Sequence, residues 1–551
     1  MKYNKIIAML MGGIMAVSCA DLDTEPQGNT ITAEQKADVI ANNPERVSAS
    51  VTAITTMFSI YCNAIGSGYH NDFGYPSIML MLDSRGTDLV GIDTGYNWFR
   101  SAIYMTEGGI NGYGSNLVWP TLYNQIYAAN SVVALIDSDT EDPTLKFYLA
   151  QALAIRAFDY FNLAQIFQFT YKGNEDALCV PLLLDTNADE AASNGLGRNT
   201  VGEVYDQILA DLNLAVDLLG STTTTRSDKR YVSYDVALGL RARVNLVMQN
   251  WADAAKDAQA AIDASSATPK SLENASHPTF KSMDEEDWMW GIKIAETDRV
   301  VTSGIVNWPS HMGSLNYGYA SVGAWRMVNP TLYDMIGRTD VRKGWFLDAN
   351  GVSDNLTPAQ QEYVKDAECP AYTQVKFAPY GDELYTSTNA CDIPLMRIEE
   401  MYLILAEAQA MNGNTSQGDA TLRNLIRTYR DPEYAPSYTS LQEEVWKQRR
   451  IEFWGEGLSY FDILRLRKGV DRSVTEYKNV HNSLPAYNYK IEDTPALERV
   501  SIEAELNGKG GVTGQPIDAL IYQLPNSEIE ANSALSTANN NLSVPALQPV
   551  K

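Results

Sequence analysis

Three groups of residues in this sequence could do chemistry. The first is a charged set, Arg449, Arg450, Glu452, Glu456, Asp462 and Arg465, within QRRIEFWGEGLSYFDILRLRKG. Glu452 and Glu456 could act as the acid/base pair of glycoside hydrolysis. At i, i+4 they stand side by side on one helix face and cannot flank a scissile bond. The set reads instead as an ion network around a glycine bend. The second group is the acidic run Asp284 to Asp287. It lacks the glycine-punctuated spacing of a calcium loop and reads as a solvated turn. The third group is aromatic: Tyr96, Trp98 and Phe99 in GYNWFRS, then Trp308, Tyr317, Tyr319 and Trp325. Amides and guanidinium groups lie beside them in Asn97, Arg100, Asn307, Asn316 and Arg326. Flat rings match the C–H face of a sugar, and the polar groups match its hydroxyl rim. One contact covering about 60 Å² contributes about 1.5 kcal/mol. Three give roughly 4.5 kcal/mol, near millimolar affinity before ordering costs.

No nucleophile–base constellation stands out, so an enzyme is not expected. The four histidines, His70, His277, His311 and His481, are scattered, and no HExxH pairs any two. Beyond Cys19, the cysteines Cys62, Cys179, Cys369 and Cys391 match no zinc or redox spacing. They allow two disulfides or free thiols. No cofactor and no metal are expected. The formal net charge of −26 repels nucleic-acid phosphates, which excludes that partner class. Neutral ligands do not feel the repulsion. An acidic sugar would need Arg85, Arg100 and Arg326 to cluster.

The N-terminus raises a separate chemistry. Lys2 and Lys5 precede an uncharged run from Ile6 to Val17. A helix of that length reaches only about 18 Å against a bilayer core of roughly 30 Å, so it reads as an export signal. Ala16, Val17 and Ser18 before Cys19 resemble a bacterial lipobox. That resemblance implies cleavage before Cys19 and a thioether to diacylglycerol on its sulfur. Removing Lys2 and Lys5 with the leader would take the charge from −26 to −28. Asp21, Asp23 and Glu25 follow the cysteine, similar to surface-export signals of Bacteroidota lipoproteins. No later segment is long and apolar enough to span a membrane.

The elements that must position these residues are mainly helical. Leu117–Ser138, Leu145–Thr170, Val201–Leu219, Tyr234–Gln249 and Trp251–Ala264 carry helical periodicity. It returns at Ile393–Met411, Gln417–Tyr429, Leu441–Glu456 and Leu458–Lys468. Ala237–Asp263 and Met401–Thr428 read as antiparallel pairs of tetratricopeptide type, with small residues at their contacts. About four such pairs would stack as a solenoid, each burying its neighbour's face. Two irregular stretches interrupt them, Gly66–Ser115 and Pro269–Asp392, the second with strand-like pieces at Trp288–Ile294 and Tyr372–Phe377. Loops this long are usually functional.

Several segments together resemble the SusD/RagB family. Leu149–Tyr171 is similar to its arginine-alanine-aromatic helix, and Ala390–Asn414 to its strand-to-helix passage with Arg397, Glu400, Glu407 and Ala408. Gln448–Gly469 resembles its charged signature, although Leu458 stands where an arginine often follows Glu-Gly. Tyr522–Leu535 resembles its closing motif through Pro525, Glu528 and Asn532, and His70–Pro76 with Gly86, Thr87 and Asp88 its N-terminal pattern. Trp325 lies in a segment resembling family sequence near the ligand platform.

The resemblance implies a mainly α fold, an α-solenoid of tetratricopeptide-like pairs bearing an irregular, loop-rich ligand-binding lobe. It implies a leader over 1–18 and a body over 19–551. Within the body, helical parts would cover about 30–265 and about 393–551, with the lobe at about 266–392. It also implies a lipoprotein on the outer-membrane surface. Such a protein would bind nutrient glycan and serve a SusC-like TonB-dependent transporter. Peptide cargo is the alternative, since some RagB-like relatives handle peptides.

Overall fold

The structure is a computed structural model. It describes residues 43–61, 69–91, 95–103, 105–468, 470 and 520–541, and the statements below concern those residues. Cys19, Cys62 and the leader lie outside them.

The elements used below are α1 (Ser48–Thr56), α2 (Tyr75–Arg85), β1 (Leu89–Gly91), α3 (Tyr113–Val133), α4 (Pro143–Phe167), α5 (Val201–Ser221), α6 (Tyr234–Met248), α7 (Trp251–Ala264), β2 (Trp288–Ile292), α8 (Trp308–Met312), β3 (Arg326–Val328), β4 (Ile393–Arg397), α9 (Ile398–Met411), α10 (Thr415–Tyr429), α11 (Leu441–Glu452) and α12 (Ser459–Arg465). Helices α3, α4, α5, α6, α7, α9 and α10 pack each on the next, forming a solenoid of tetratricopeptide-like pairs.

Local sequence explains the helix ends. Asp142 caps α4, its carboxylate accepting from the amides of Thr144 (2.8 Å) and Leu145 (2.9 Å). Thr200 and Glu203 form a capping box on α5. Almost the whole of α4 is buried, so it is the central rod rather than a surface helix. Arg156 on α4 grips Asp211 on α5 through two bonds of 2.7 and 2.8 Å, tying adjacent members of the stack.

Three sequence expectations change. Helix α2 falls inside the stretch read as irregular. All its residues are buried, so it has no polar face to generate a helical alternation. Ile393–Arg397 is strand β4 leading into α9, as the strand-to-helix resemblance implies and unlike the periodicity reading, because a short apolar run looks alike in either state. Tyr372–Phe377 forms no strand. Only isolated bridges hold it, Thr373 to Met327, Gln374 to Phe346 and Phe377 to Thr279.

The acidic run is also not a solvated turn. Asp284 is exposed, but Asp287 is fully buried and pairs with Lys270 (3.1 Å) and Arg397 (3.2 Å). Glu286 accepts from the Ser271 amide at 3.0 Å. The run is the acidic edge of an interior network, a role that tertiary folding assigns and spacing cannot show.

That network is what the charged signature builds. The Glu452 carboxylate meets Arg397 (2.9 Å), Arg430 (2.8 Å) and Arg342 (3.2 Å). Burial alone would raise its pKa, but the three guanidinium groups outweigh that and hold it well below the usual range. Glu456 binds Lys376 (2.6 Å) and Arg397 (2.8 Å). Asp462 bridges Arg449 and Arg465, each at 2.7 Å, and Arg465 reaches Glu407 at 2.6 Å. Helix α11 ends at Glu452 and Glu456 falls in the turn after it, so the expected shared helix face does not form; both glutamates are instead buried and committed to cations, as architecture requires.

The signature also fixes the N-terminal lobe. Arg450 grips Asp88 through bonds of 2.9 and 2.6 Å, and Trp454 Nε1 donates to the Asp88 carbonyl at 3.1 Å. Asp88 immediately precedes β1, so the C-terminal motif anchors the strand that leads into GYNWFRS.

Asp83, on α2, accepts from the Gly457 amide at 2.9 Å. Burial pushes its carboxyl up to about 8; the Gly457 hydrogen bond opposes this, and the charges of Glu456 and Asp88 add to it. The unfolded chain releases this proton near 3.8, so between those values the folded state binds more protons and stability falls as pH rises. Urea midpoints of the wild type should therefore decline more steeply from pH 5 to pH 8 than those of Asp83→Asn. Parallel profiles would contradict the assignment.

Candidate functional site

Strand β1 pairs antiparallel with β3, with Leu89 opposite Val328 and Gly91 opposite Arg326. This brings together two stretches more than 200 residues apart. The approach at Gly91 is close: a Cβ there would lie 2.6 Å from Arg326 Nη1. Past β1 the chain alternates. Asn97 and Phe99 turn inward, while Tyr96, Trp98 and Arg100 face out.

The inward pair forms the frame. Asn97 Oδ1 accepts from Arg326 Nη2 and from the Phe99 amide, both at 3.1 Å. Arg326 Nε donates to the His311 carbonyl at 3.2 Å, and its guanidinium lies 5.9 Å from the Phe99 ring centre. Arg326 is fully buried and Phe99 is 1% exposed.

The outward residues form an aromatic ledge. The half-buried Trp98 ring stacks on His70 at 4.8 Å and 20°. His70 Nδ1 is hydrogen-bonded to the Tyr319 hydroxyl. Tyr319 stacks on His311 at 4.7 Å and 19°, and His311 stacks on Phe73 at 5.4 Å and 18°. Trp98 is thus the outer plate of a pile rooted in the core. Tyr96, 55% exposed, stands 6.3 Å from Tyr319. Tyr69, beside His70, is exposed and stacks on Tyr113 at 6.2 Å.

His311 and Tyr319 within the pile are uncharged at neutral pH. Burial pushes His311 down to about 3, and the Arg326 charge adds to the effect. Its Nε2–H donates to the His70 carbonyl at 2.7 Å, which fixes the tautomer. Burial also raises the Tyr319 hydroxyl above its ordinary value, so it stays protonated.

The other aromatic candidates go elsewhere. Trp308 is 3% exposed and packs edge-on against Phe377 at 4.8 Å, at the start of α8. Asn307 caps that helix by accepting from the Ser310 amide at 2.9 Å. Trp325 is 6% exposed, in the core behind β3. Asn316 bonds Pro309 and Asn389 internally. Tyr317 is half-buried and joins the exposed Tyr385 at 5.3 Å in a second aromatic group.

The three arginines do not assemble into an anion site. Arg85 is buried against Glu107, between the rings of Tyr460 (5.1 Å) and Tyr522 (4.7 Å). Arg326 is interior, and only Arg100 is exposed. His70, His311 and Tyr69 were missed as site residues, because their partners are distant in sequence and no spacing marks them.

Cys179, Cys369 and Cys391 are free thiols. No group of side chains with metal-holding geometry occurs among the described residues. No helix among them is long and apolar enough to cross a membrane.

Comparison with known proteins bears on this arrangement. Residues 88–246 match a SusD-like family described as starch-binding and associating with the outer membrane. Residues 355–541 match the SusD family itself, and together the two matches take in more than half the chain. The chain belongs to the SusD/RagB family.

A SusD-like protein P2 of Formosa agariphila is 25% identical over 503 residues, 85% of this chain and 91% of that one. Among solved structures, a SusD-like carbohydrate-binding protein from Bacteroides vulgatus superposes with a TM-score of 0.67 at 22% identity, covering 90% of this chain and 98% of that one. A SusD superfamily protein from Bacteroides thetaiotaomicron gives 0.64 at 19% identity, covering 91% and 99%. The family models bracket the network: Asp88 opens the first, while Arg397, Glu452 and Glu456 fall in the second.

Proposed function

We propose that this SusD-family chain captures neutral glycan on the outward Tyr96–Trp98 ledge, which the buried Tyr319 supports from beneath, and delivers it to a SusC-like TonB-dependent transporter. The observation that carries the reading is the outward Trp98 plate, backed by the stacked His70–Tyr319–His311 pile. A rigid aromatic face can take the C–H side of a sugar without ordering cost to the protein. Exposed Arg100 supplies donors for the hydroxyl rim. Phe99, Asn97 and Arg326 act as its frame, while Trp308 and Trp325 support the lobe from within. Tyr317 extends the aromatic surface through Tyr385. The carbohydrate-binding protein of Bacteroides vulgatus supports the same ligand class. Peptide cargo lacks a comparable feature here, since a stacked aromatic ledge offers no strand edge for main-chain pairing.

Residues 1–18 are proposed as a leader and 19–551 as the mature body, with lipid on Cys19 holding it at the outer-membrane surface. Weak individual contacts suit this role. Tethering beside a transporter raises effective concentration and leaves release easy. Native affinity gels containing neutral polysaccharides should retard the wild type. Cells fed radiolabelled palmitate should label the wild type but not Cys19→Ser, and the variant should leave the membrane fraction. Equal labelling of both would remove the anchor from the proposal.

A further inference from the structure

Helix α3 carries a second aromatic feature, away from the ledge. Trp119, Tyr123 and Tyr127 recur at i, i+4 and i+8, so they line one stripe beside the core face formed by Leu122, Ile126 and Ala129. The stripe runs from buried to open: Trp119 is 4% exposed and Tyr127 is 65% exposed. It floors a cavity of about 480 Å³. That falls within the roughly 300–1,000 Å³ of small-molecule sites.

The opposite wall comes from two distant segments, residues 191–196 and the end of the short helix Asn526–Ala531 with Asn532 beyond it. Hydrogen bonds hold these walls in place. Asn532 Nδ2 donates to the Leu196 carbonyl (3.0 Å) and to Glu528 Oε1 (3.2 Å). The Ser533 hydroxyl donates to the Asn194 carbonyl at 2.7 Å, and the Tyr123 hydroxyl to the Pro181 carbonyl at 2.6 Å. Gly195 has φ +71, and a Cβ there would lie 2.1 Å from Asn532 Oδ1, so the contact requires glycine.

We propose that this cavity is a second carbohydrate pocket, taking one or two neutral sugar residues. The C–H face of the sugar lies on Tyr127 and Tyr123. Its hydroxyls donate to the Glu528 carboxylate and meet the Asn124 amide and Ser193, all of which line the cavity. Glu528 and the acidic body disfavour uronic or sulfated sugars. No strand borders the cavity, so an extended peptide has no edge to pair with. The inference takes its ligand class from the reading above but does not depend on the ledge.

The test is saturation-transfer NMR on the full chain with maltohexaose, cellohexaose, xylohexaose and mannohexaose. In Trp98→Ala, transfer to at least one sugar should persist. Adding Tyr127→Ala should reduce it at least fivefold, with circular dichroism unchanged, and Glu528→Gln should weaken it in the same background. Transfer that vanishes with Trp98→Ala alone, or that survives Tyr127→Ala undiminished, overturns the pocket. With tetra-alanine run as a peptide control, a Tyr127-dependent signal given only by that peptide overturns it too. A wild-type signal indifferent to Trp98→Ala yet lost with Tyr127→Ala keeps the pocket and removes the ledge.

Discussion

Glu452→Ala should destabilise the protein by about 3–5 kcal/mol, the cost of removing one partner from a buried ion network. The substitution leaves Arg397, Arg430 and Arg342 facing one another in the interior, with a shared counter-charge gone. Desolvated like charges cannot turn to water, so the penalty exceeds that of a surface pair, which is worth roughly 0–1 kcal/mol. Urea unfolding followed by circular dichroism measures it. Glu452→Gln should recover part of the loss through its remaining carbonyl oxygen but not the charge. A drop below about 1 kcal/mol for Glu452→Ala would mean that the network is solvated rather than closed. Arg450→Met should cost less, because the Asp88 pair is more peripheral, with 12% of the Arg450 side chain exposed. Its effect should appear at the ledge, since Asp88 fixes the start of β1.

Trp98→Ala should weaken glycan binding by more than tenfold, from loss of about 1.5 kcal/mol of ring contact. The double change Tyr96→Ala/Trp98→Ala should exceed a hundredfold, about 3 kcal/mol if the two rings act separately. Isothermal titration against the oligosaccharide that retards best in gels measures both. Thermal stability should barely move, because Tyr96 is exposed and Trp98 lies on the outside of its stack. Trp325→Ala should behave in the opposite way. A tryptophan 6% exposed leaves a cavity costing about 3–5 kcal/mol, with binding affected only through the fold. For an uncharged sugar stacked on aromatic rings, affinity should also be flat between low and high salt. A steep salt dependence would point to an anionic ligand and to Arg100. Wild-type affinity retained in the Tyr96→Ala/Trp98→Ala protein would sink the ledge as the capture site.

In GYNWFRS the local sequence and the fold carry different information. The motif announces aromatic and amide groups in an irregular stretch, and that much is local. Which of them reach solvent is decided in the folded turn: Asn97 and Phe99 are taken inward by Arg326, and Tyr96, Trp98 and Arg100 are left outward. Arg326, Phe99 and Asn97 then become the frame, and His70 and His311 enter as plates of the pile. Their partners lie up to about 249 residues away in sequence, as for His70 and Tyr319, so no window reveals them. Trp308 and Trp325 look identical to Trp98 in composition, yet fall on the inner side of their elements.

The sequence by itself determined the solenoid helices, because amphipathic periodicity, capping residues and tight turns act over a few residues. That the charged signature is architecture came from the fold: α11 ends at Glu452 and Glu456 lies in the turn beyond it, and each carboxylate is held by buried cations. Only the tertiary structure decided that Asp287 belongs to that network and that α2 is a helix. A fully buried segment has no polar face to betray its period, and a carboxylate's partner is chosen by folding. The ledge was decided at the same level. Ring stacking requires planes a few ångströms apart, and the β1–β3 pairing supplies that proximity between residues no local pattern connects.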